Sequence, residues 1–227
     1  MGKTLRIGTR RNPLALWQAE HIKALLERHH PGLRCTLTRI VTEGDRIQEV
    51  SLARFGGKGL FVKAIEDALL RKEVDLAVHS MKDLPTQIPK DLQIAAVPER
   101  EDTRDAVISH HVKKIGDLPH GSRVGTGSLR RQAQLLALRP DLRIMDIRGN
   151  LDTRLRKLKD GDFDAIVLAC AGLNRLGLED QISFRLNHMQ MLPAPGQGAL
   201  AIEIRRSDHK TESLARALNH EPSAIAV

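Results

Sequence analysis

The chain is expected to be an α/β protein built from two similar, doubly wound domains. Three features predict this. Strand-like apolar runs alternate with amphipathic helix-like runs; an Arg-x-Gly-Thr run occurs twice, at Arg6-Ile-Gly-Thr9 and Arg123-Val-Gly-Thr126; and Lys72-Glu-Val-Asp75-Leu-Ala-Val78 is echoed by Gly161-Asp-Phe-Asp164-Ala-Ile-Val167. Such alternation implies mainly parallel sheets with helices on both faces. Ligands of sheets of this kind bind beyond the carboxyl ends of the strands.

Each element follows from its residues. Leu5–Thr9 reads as a strand, and Asn12-Pro13 supplies an N-cap and a first helical position. Ala15, Ala19, Ile22 and Leu26 then share one helical face until Pro31-Gly32 ends it. Arg34–Val41 is the next strand. Thr42–Gly59, rich in glycine and charge, is expected to be a mobile loop, and Phe61, Ile65, Ala68 and Leu69 mark the following helix. Asp75–His79 is a strand that ends in the turn Ser80-Met-Lys-Asp-Leu-Pro85.

The second half repeats the plan. Strands at Arg123–Thr126, Asp141–Ile147 and Gly161–Leu168 alternate with helical faces at Leu129, Ala133, Leu136, Ala137 and at Leu151, Leu155, Leu158. Pro98–Asp105 and Leu192–Gly198 read as crossings between the domains. The expected boundaries are therefore 1–98 plus 197–227 for the first domain and 99–196 for the second. Ala199–Ile204 is a returning strand, and Thr211, Leu214, Ala215 and Leu218 form a last helical face.

Composition narrows the partners. The 227 residues carry a formal charge of +8, which favours acidic ligands. There is no Tyr, one Trp and four Phe, too few for the stacking platforms that single-strand binders use, so nucleic acid is not expected. No run approaches the length of a membrane span, and residues 1–10 do not form a secretory signal, so a cytoplasmic protein is expected. Two cysteines, Cys35 and Cys170, suit a reducing compartment, and Cys170 reads as an inert buried thiol. The ten histidines show no metal spacing and read as solvated, so no metal is expected.

Arginine recurs where strands pass into helices. Arg10, Arg130, Arg131, Arg148 and Arg154 all fall at such junctions. Helix starts attract anions, and guanidinium forks bind carboxylates bidentately. These five predict an anion cleft, with a solvated basic surface as the plainer reading. The turn after His79 places Ser80, Lys82 and Asp83 together. Its carboxylate could stabilise a developing cation or guide protons, or it could simply cap the turn. Gly56-Gly-Lys58-Gly59 lacks the spacing of a Walker motif and reads as a flap bearing a cation.

Taken in order, Arg6-Ile-Gly-Thr-Arg10, Pro13-Leu-Ala-Leu-Trp-Gln18, Gly56-Gly-Lys-Gly-Leu-Phe61, Val78-His-Ser-Met-Lys-Asp-Leu-Pro85, Ser128-Leu-Arg-Arg-Gln132, Arg148-Gly-Asn150, Thr153-Arg154 and Gly196-Gln-Gly198 resemble the porphobilinogen deaminase (hydroxymethylbilane synthase) family. The resemblance implies two domains like those of type II periplasmic binding proteins. It implies head-to-tail condensation of four porphobilinogen units with loss of ammonia, in tetrapyrrole and haem biosynthesis, by a monomeric transferase. Asp83 matches the family's catalytic aspartate. Arg10, Arg130, Arg131, Arg148, Arg154 and Arg175 match its carboxylate-binding arginines. Lys58, Ser80, Lys82 and Ser128 match polar cleft positions, and Phe61 an apolar wall. Asn12, Arg54 and Gly127 depart from the usual Ser, Lys and Ser. The implied partners are porphobilinogen and polypyrrole intermediates.

The resemblance also implies a third domain whose cysteine anchors a dipyrromethane primer. Cys35 and Cys170 do not match that cysteine, and the sequence reaches Val227 before such a domain. The 227 residues alone are accordingly expected to bind acidic pyrroles with little or no turnover. The alternative is a non-catalytic bilobal binding module for small acidic ligands.

Overall fold

The computed structural model describes residues 4–41, 62–110 and 112–227. The chain divides into two compact units, Met1–Arg100 with Ala199–Val227, and Glu101–Gly198.

In the first unit, β1 (Thr4–Thr9) leads into α1 (Pro13–His29), whose start is fixed by Asn12 accepting the amide of Ala15 and by Pro13 at the first helical position. β2 (Arg34–Arg39), α2 (Lys63–Leu70), β3 (Leu76–Ser80), a one-turn 3₁₀ segment Met81–Asp83 and β4 (Leu92–Ala96) follow. After the second unit the chain returns as β10 (Leu200–Arg205), then α6 (His209–Arg216) and α7 (Glu221–Ile225). The second unit holds β5 (Asp105–Ile108), β6 (Arg123–Gly125), α3 (Leu129–Leu138), β7 (Arg143–Met145), α4 (Leu151–Lys159), β8 (Ala165–Ala169), α5 (Cys170–Arg175) and β9 (Phe184–Leu186).

The two sheets have one topology. Their strand orders are β2-β1-β3-β10-β4 and β7-β6-β8-β5-β9. In each, the first three strands are parallel, and the fourth is an antiparallel strand supplied by a segment that has just crossed from the other unit. The expectation of mainly parallel sheets is corrected to mixed sheets for this reason: a crossing strand enters its sheet from the opposite end.

The repeat seen in the sequence is a repeated clamp. Asp75 accepts the backbone amide and guanidinium of Arg6 while its own amide donates to the Arg6 carbonyl. Asp164 does the same with Arg123. In both units an arginine of the second strand in the sheet, Arg6 in β1 and Arg123 in β6, is locked to the aspartate directly before its parallel neighbour, which fixes the register of the two strands.

Alternation along the strands fills both faces of each sheet. In the first unit, Leu5, Ile7, Leu76, Val78 and Ile202 pack with Ile22 and Leu26 of α1 and Ala215 of α6, while Ala77 packs with Ile65 and Leu69 of α2. In the second, Val124 and Val167 pack with Leu135 of α3, while Ile166 and Leu168 pack with Leu158 of α4 and Leu173 of α5.

Candidate functional site

In the first unit, the parallel strands β1 and β3 end side by side, so Arg10 and the turn Ser80–Asp83 leave the sheet at the same end. The turn is held in place from three sides. Gln18 of α1 donates to Ser80 Oγ at 3.0 Å, the Met81 amide donates to the carbonyl of Ala199 just before β10, and the Leu84 amide closes the turn on the Met81 carbonyl. Asp83 is exposed, and Ser80, Lys82 and Arg10 are half-buried. The Lys58 and Phe61 expectations, the Thr42–Gly59 loop and the Gly56–Gly59 flap lie outside the described residues.

In the second unit, β6, β7 and β8 are parallel, and each delivers arginines at its carboxyl end. Arg130 and Arg131 open α3 after β6, Arg148 and Arg154 flank the start of α4 after β7, and Arg175 ends α5 after β8. Ser128 caps α3 by accepting the Arg131 amide, and Asn150 caps α4 by accepting that of Thr153. These caps satisfy amides that would otherwise be left over at each helix start.

The arginines are not equivalent. Arg131 is buried, with two nitrogens on Asp105 Oδ1, at 3.1 and 2.7 Å, and a third on the Val167 carbonyl at 3.0 Å. Arg130 donates to Asp105 Oδ2 at 2.8 Å and to the Leu192 carbonyl. Asp105 is wholly buried and also accepts from Gln197 at 3.0 Å. Burial alone would raise its carboxyl; the guanidinium groups of Arg131 and Arg130 outweigh that and hold it below the usual carboxylate range. Arg175 is buried, donates to the Gly198 carbonyl, and is pulled down to about 10 by desolvation, against the opposing charge of Glu101.

Arg148 reaches Asp146 at 2.6 Å, and Arg154 donates to the Gly149 carbonyl. Arg154 is lowered chiefly by burial, then by repulsion from Arg131, with Asp146 opposing and Arg148 adding to the repulsion. A guanidinium depressed by burial and by like charges gains from any anion that approaches it. The sequence reading missed Asp105, Asp146 and Gln197. The only signal for Asp105 was an acidic residue directly before the apolar run Ala106-Val-Ile108.

A family model described as "Porphobilinogen deaminase, dipyromethane cofactor binding domain" matches residues 5–213. The chain belongs to the porphobilinogen deaminase family. Relatives named porphobilinogen deaminase include that of Geobacter metallireducens, 56% identical over 225 residues, covering 99% of this chain and 70% of the relative. Another is that of Xanthomonas axonopodis pv. citri, 53% identical over 224 residues, covering 99% and 74%. Among solved structures, the fold is like that of lipoprotein Tp32 from Treponema pallidum, with a TM-score of 0.60, 14% identity and coverage of 98% and 93%. It is also like that of an ABC-transporter periplasmic substrate-binding protein from Coxiella burnetii, at 0.59, 14%, 98% and 94%. These neighbours establish the fold, which is that of type II periplasmic binding proteins. Members of the porphobilinogen deaminase family act in tetrapyrrole biosynthesis. In its second unit, the site's donors suit a group bearing several carboxylates, the property that a dipyrromethane cofactor with acetate and propionate arms would need.

Proposed function

We propose that this chain carries the catalytic and polypyrrole-binding units of a porphobilinogen deaminase, a transferase that joins four porphobilinogen units head to tail with loss of ammonia. The observation that carries this reading is the cluster of Arg131, Arg148 and Arg154 at the carboxyl ends of β6 and β7, where burial and mutual repulsion favour an anionic ligand. Each porphobilinogen brings an acetate and a propionate, so the charge to be held grows with the chain.

In this reading Arg148 and Arg154 grip carboxylates directly. Arg130 and Arg131, anchored to Asp105, offer their remaining donors from a fixed frame, and Ser128 orients the first turn that bears them. Arg175 and Arg10 add positive potential at the ends of their sheets. Dipyrromethane, when bound, supplies the free pyrrole position on which the chain grows, and Arg148, Arg154 and Arg131 would hold its carboxylates.

Asp83 performs the charge work. Loss of ammonia leaves a cationic methylene carbon conjugated to the pyrrole nitrogen, and an exposed carboxylate on a rigid turn stabilises that charge and accepts the pyrrole N–H. After carbon–carbon bond formation, a proton leaves the attacked pyrrole carbon, and in this reading Asp83 guides it. Lys82 and Ser80 flank the substrate's acidic arms. The proposed working form is a cytoplasmic monomer. No helix among the described residues is long and apolar enough to cross a membrane.

The test uses a chimera extended by the remainder of the Geobacter relative. Asp83→Asn should lower ammonia release from porphobilinogen by about 10²–10³ or more, with circular dichroism unchanged. Arg148→Leu should weaken binding by about 1.5–3 kcal/mol, the worth of a hydrogen bond to a charged group, and leave Tm nearly unmoved. Tight binding of simple dicarboxylates with no response to porphobilinogen would instead establish the binding-module reading.

A further inference from the structure

His79 was expected to be solvated with the other histidines. It is buried, with 6% of its surface exposed, and its Nε2 lies 2.9 Å from Oε2 of Glu203, which is wholly buried. The two side chains project from one face of the β3–β10 pair, where His79 sits opposite Ala201 and Glu203 opposite Ala77. Glu66 of α2, 8% exposed, packs over that face among Ile65, Ala68 and Leu69. One carboxylate oxygen of Glu66 and one of Glu203 are buried with no hydrogen-bond partner among the described residues. Two carboxyl groups and one imidazole thus share a buried face, with His79 in the position directly before Ser80, and none of them takes part in the chemistry proposed above.

We propose that Glu66, His79 and Glu203 act as one buried unit that positions the Ser80–Asp83 turn, with the His79–Glu203 contact joining β3 to β10 and Glu66 closing over it from α2. An ionised Glu66, with one oxygen buried and unpartnered beside a second buried carboxyl group, would be a desolvated charge, which costs several kcal/mol. Placing a proton on Glu66 removes that cost. Glu66 is the group driven upward, first by burial and then by Glu203, with His79 opposing and Asp67 adding a smaller push. Among the described residues, the titratable groups facing it are therefore His79 from β3, Glu203 from β10 and Asp67 from its own helix. Arg205, further along β10, is taken up by the Leu69 and Val74 carbonyls and by Asp208. The His79–Glu203 contact ties β3 to β10 across 124 positions of sequence, next to the Met81 amide that anchors the turn on Ala199.

A carboxyl raised by folding contributes stability that is complete below its unfolded value of about 4.3 and is lost as pH rises through the folded value. Above that point Glu66 ionises and the turn loosens. The inference rests on the deaminase reading for its consequence, but its test is read on this chain without substrate. On lowering the pH, the infrared spectrum should gain a neutral-carboxyl band that Glu66→Gln removes, and this band should appear at higher pH in the folded chain than in urea. Hydrogen-exchange protection at the Met81 and Leu84 amides should fall with rising pH in the wild type and stay flat in Glu66→Gln. Glu203→Gln should cut protection at both amides at least tenfold at pH 7 and leave β6 and β7 unaffected. In the extended chimera, the alkaline limb of kcat should flatten in Glu66→Gln. No band lost on Glu66→Gln, or equal pH dependence of Met81 protection in the two proteins, overturns the proposal even if Glu203→Gln fails to fold. A chimera without deaminase turnover overturns the functional reading and leaves these spectroscopic results to decide the cluster.

Discussion

Replacing Asp105 by Asn removes one charge from a wholly buried carboxylate that holds two arginines. Arg131 would face a neutral amide oxygen beside the Val167 carbonyl, lose the charge opposite it and remain buried, while the new NH2 group would meet one of the two guanidinium groups donor to donor. Breaking one side of such a pair costs about 3–5 kcal/mol, because the partner's charge stays desolvated and uncompensated. At about 2–4 °C per kcal/mol for a chain of this size, Tm should fall by roughly 6–20 °C. The assay is thermal and urea unfolding of Asp105→Asn beside Asp164→Asn, whose partner Arg123 is about 42% exposed in its side chain. That exposed pair is screened by solvent, so its loss should cost far less than the loss of Asp105. The sign with pH follows from the depressed carboxyl. Its contribution is present above the unfolded value of about 3.9 and lost as pH falls through the folded value, so the acid limb of stability should flatten in Asp105→Asn. Equal losses in the two variants, or an unchanged acid limb, would refute the view that Asp105 anchors the arginine pair.

Three further outcomes are expected. Gly198 has φ +87°, and a Cβ there would stand inside van der Waals contact of the Glu101 carbonyl oxygen, so Gly198→Ala should lose about 1–3 kcal/mol by urea midpoint. Asn150→Ala, which deletes the cap on the Thr153 amide, should cost about 0.5–2 kcal/mol in the same assay. Cys35 and Cys170 are both pushed up to about 11, chiefly by burial, so alkylation at pH 8 should label neither thiol in the native chain and both in urea.

The sequence made the repeat legible because a short-range pattern specified it. Arg-x-Gly-Thr and the later Asp-apolar run are local, and the clamps Arg6–Asp75 and Arg123–Asp164 are their three-dimensional form. The helix start at Asn12 was readable for the same reason, since a cap is decided within four residues. β4, β5 and β9 were not read as strands. They run for only three to five residues, and their partners lie 58 to 113 positions away, so pairing with those distant strands decides their state rather than local propensity. The burial of His79 was invisible for a related reason: Glu203 stabilises it from 124 residues away.

The arginines show how far residue type alone can lead. Arg10, Arg130, Arg131 and Arg148 follow strand ends, Arg154 lies in the first turns of α4 and Arg175 at the end of α5, and their environments sort them into different tasks. Arg131 is spent largely on Asp105 and Val167, and Arg175 on a backbone carbonyl. A guanidinium held in this way cannot swing to meet a ligand, but neither does it lose side-chain entropy when one arrives. The frame it forms sets the potential in which Arg154, depressed by that same Arg131, waits for an anion. If that division is right, loss of Asp105 should weaken ligand binding through disordered arginines as well as destabilise the fold. Loss of Arg148 should weaken binding alone. A double-mutant cycle between positions 105 and 148, read in binding of a dipyrrole carboxylate, should then show a coupling of about 0.5–3 kcal/mol, the size typical of residues in one network. Strict additivity would mean that the buried and the half-exposed arginines serve independent sites.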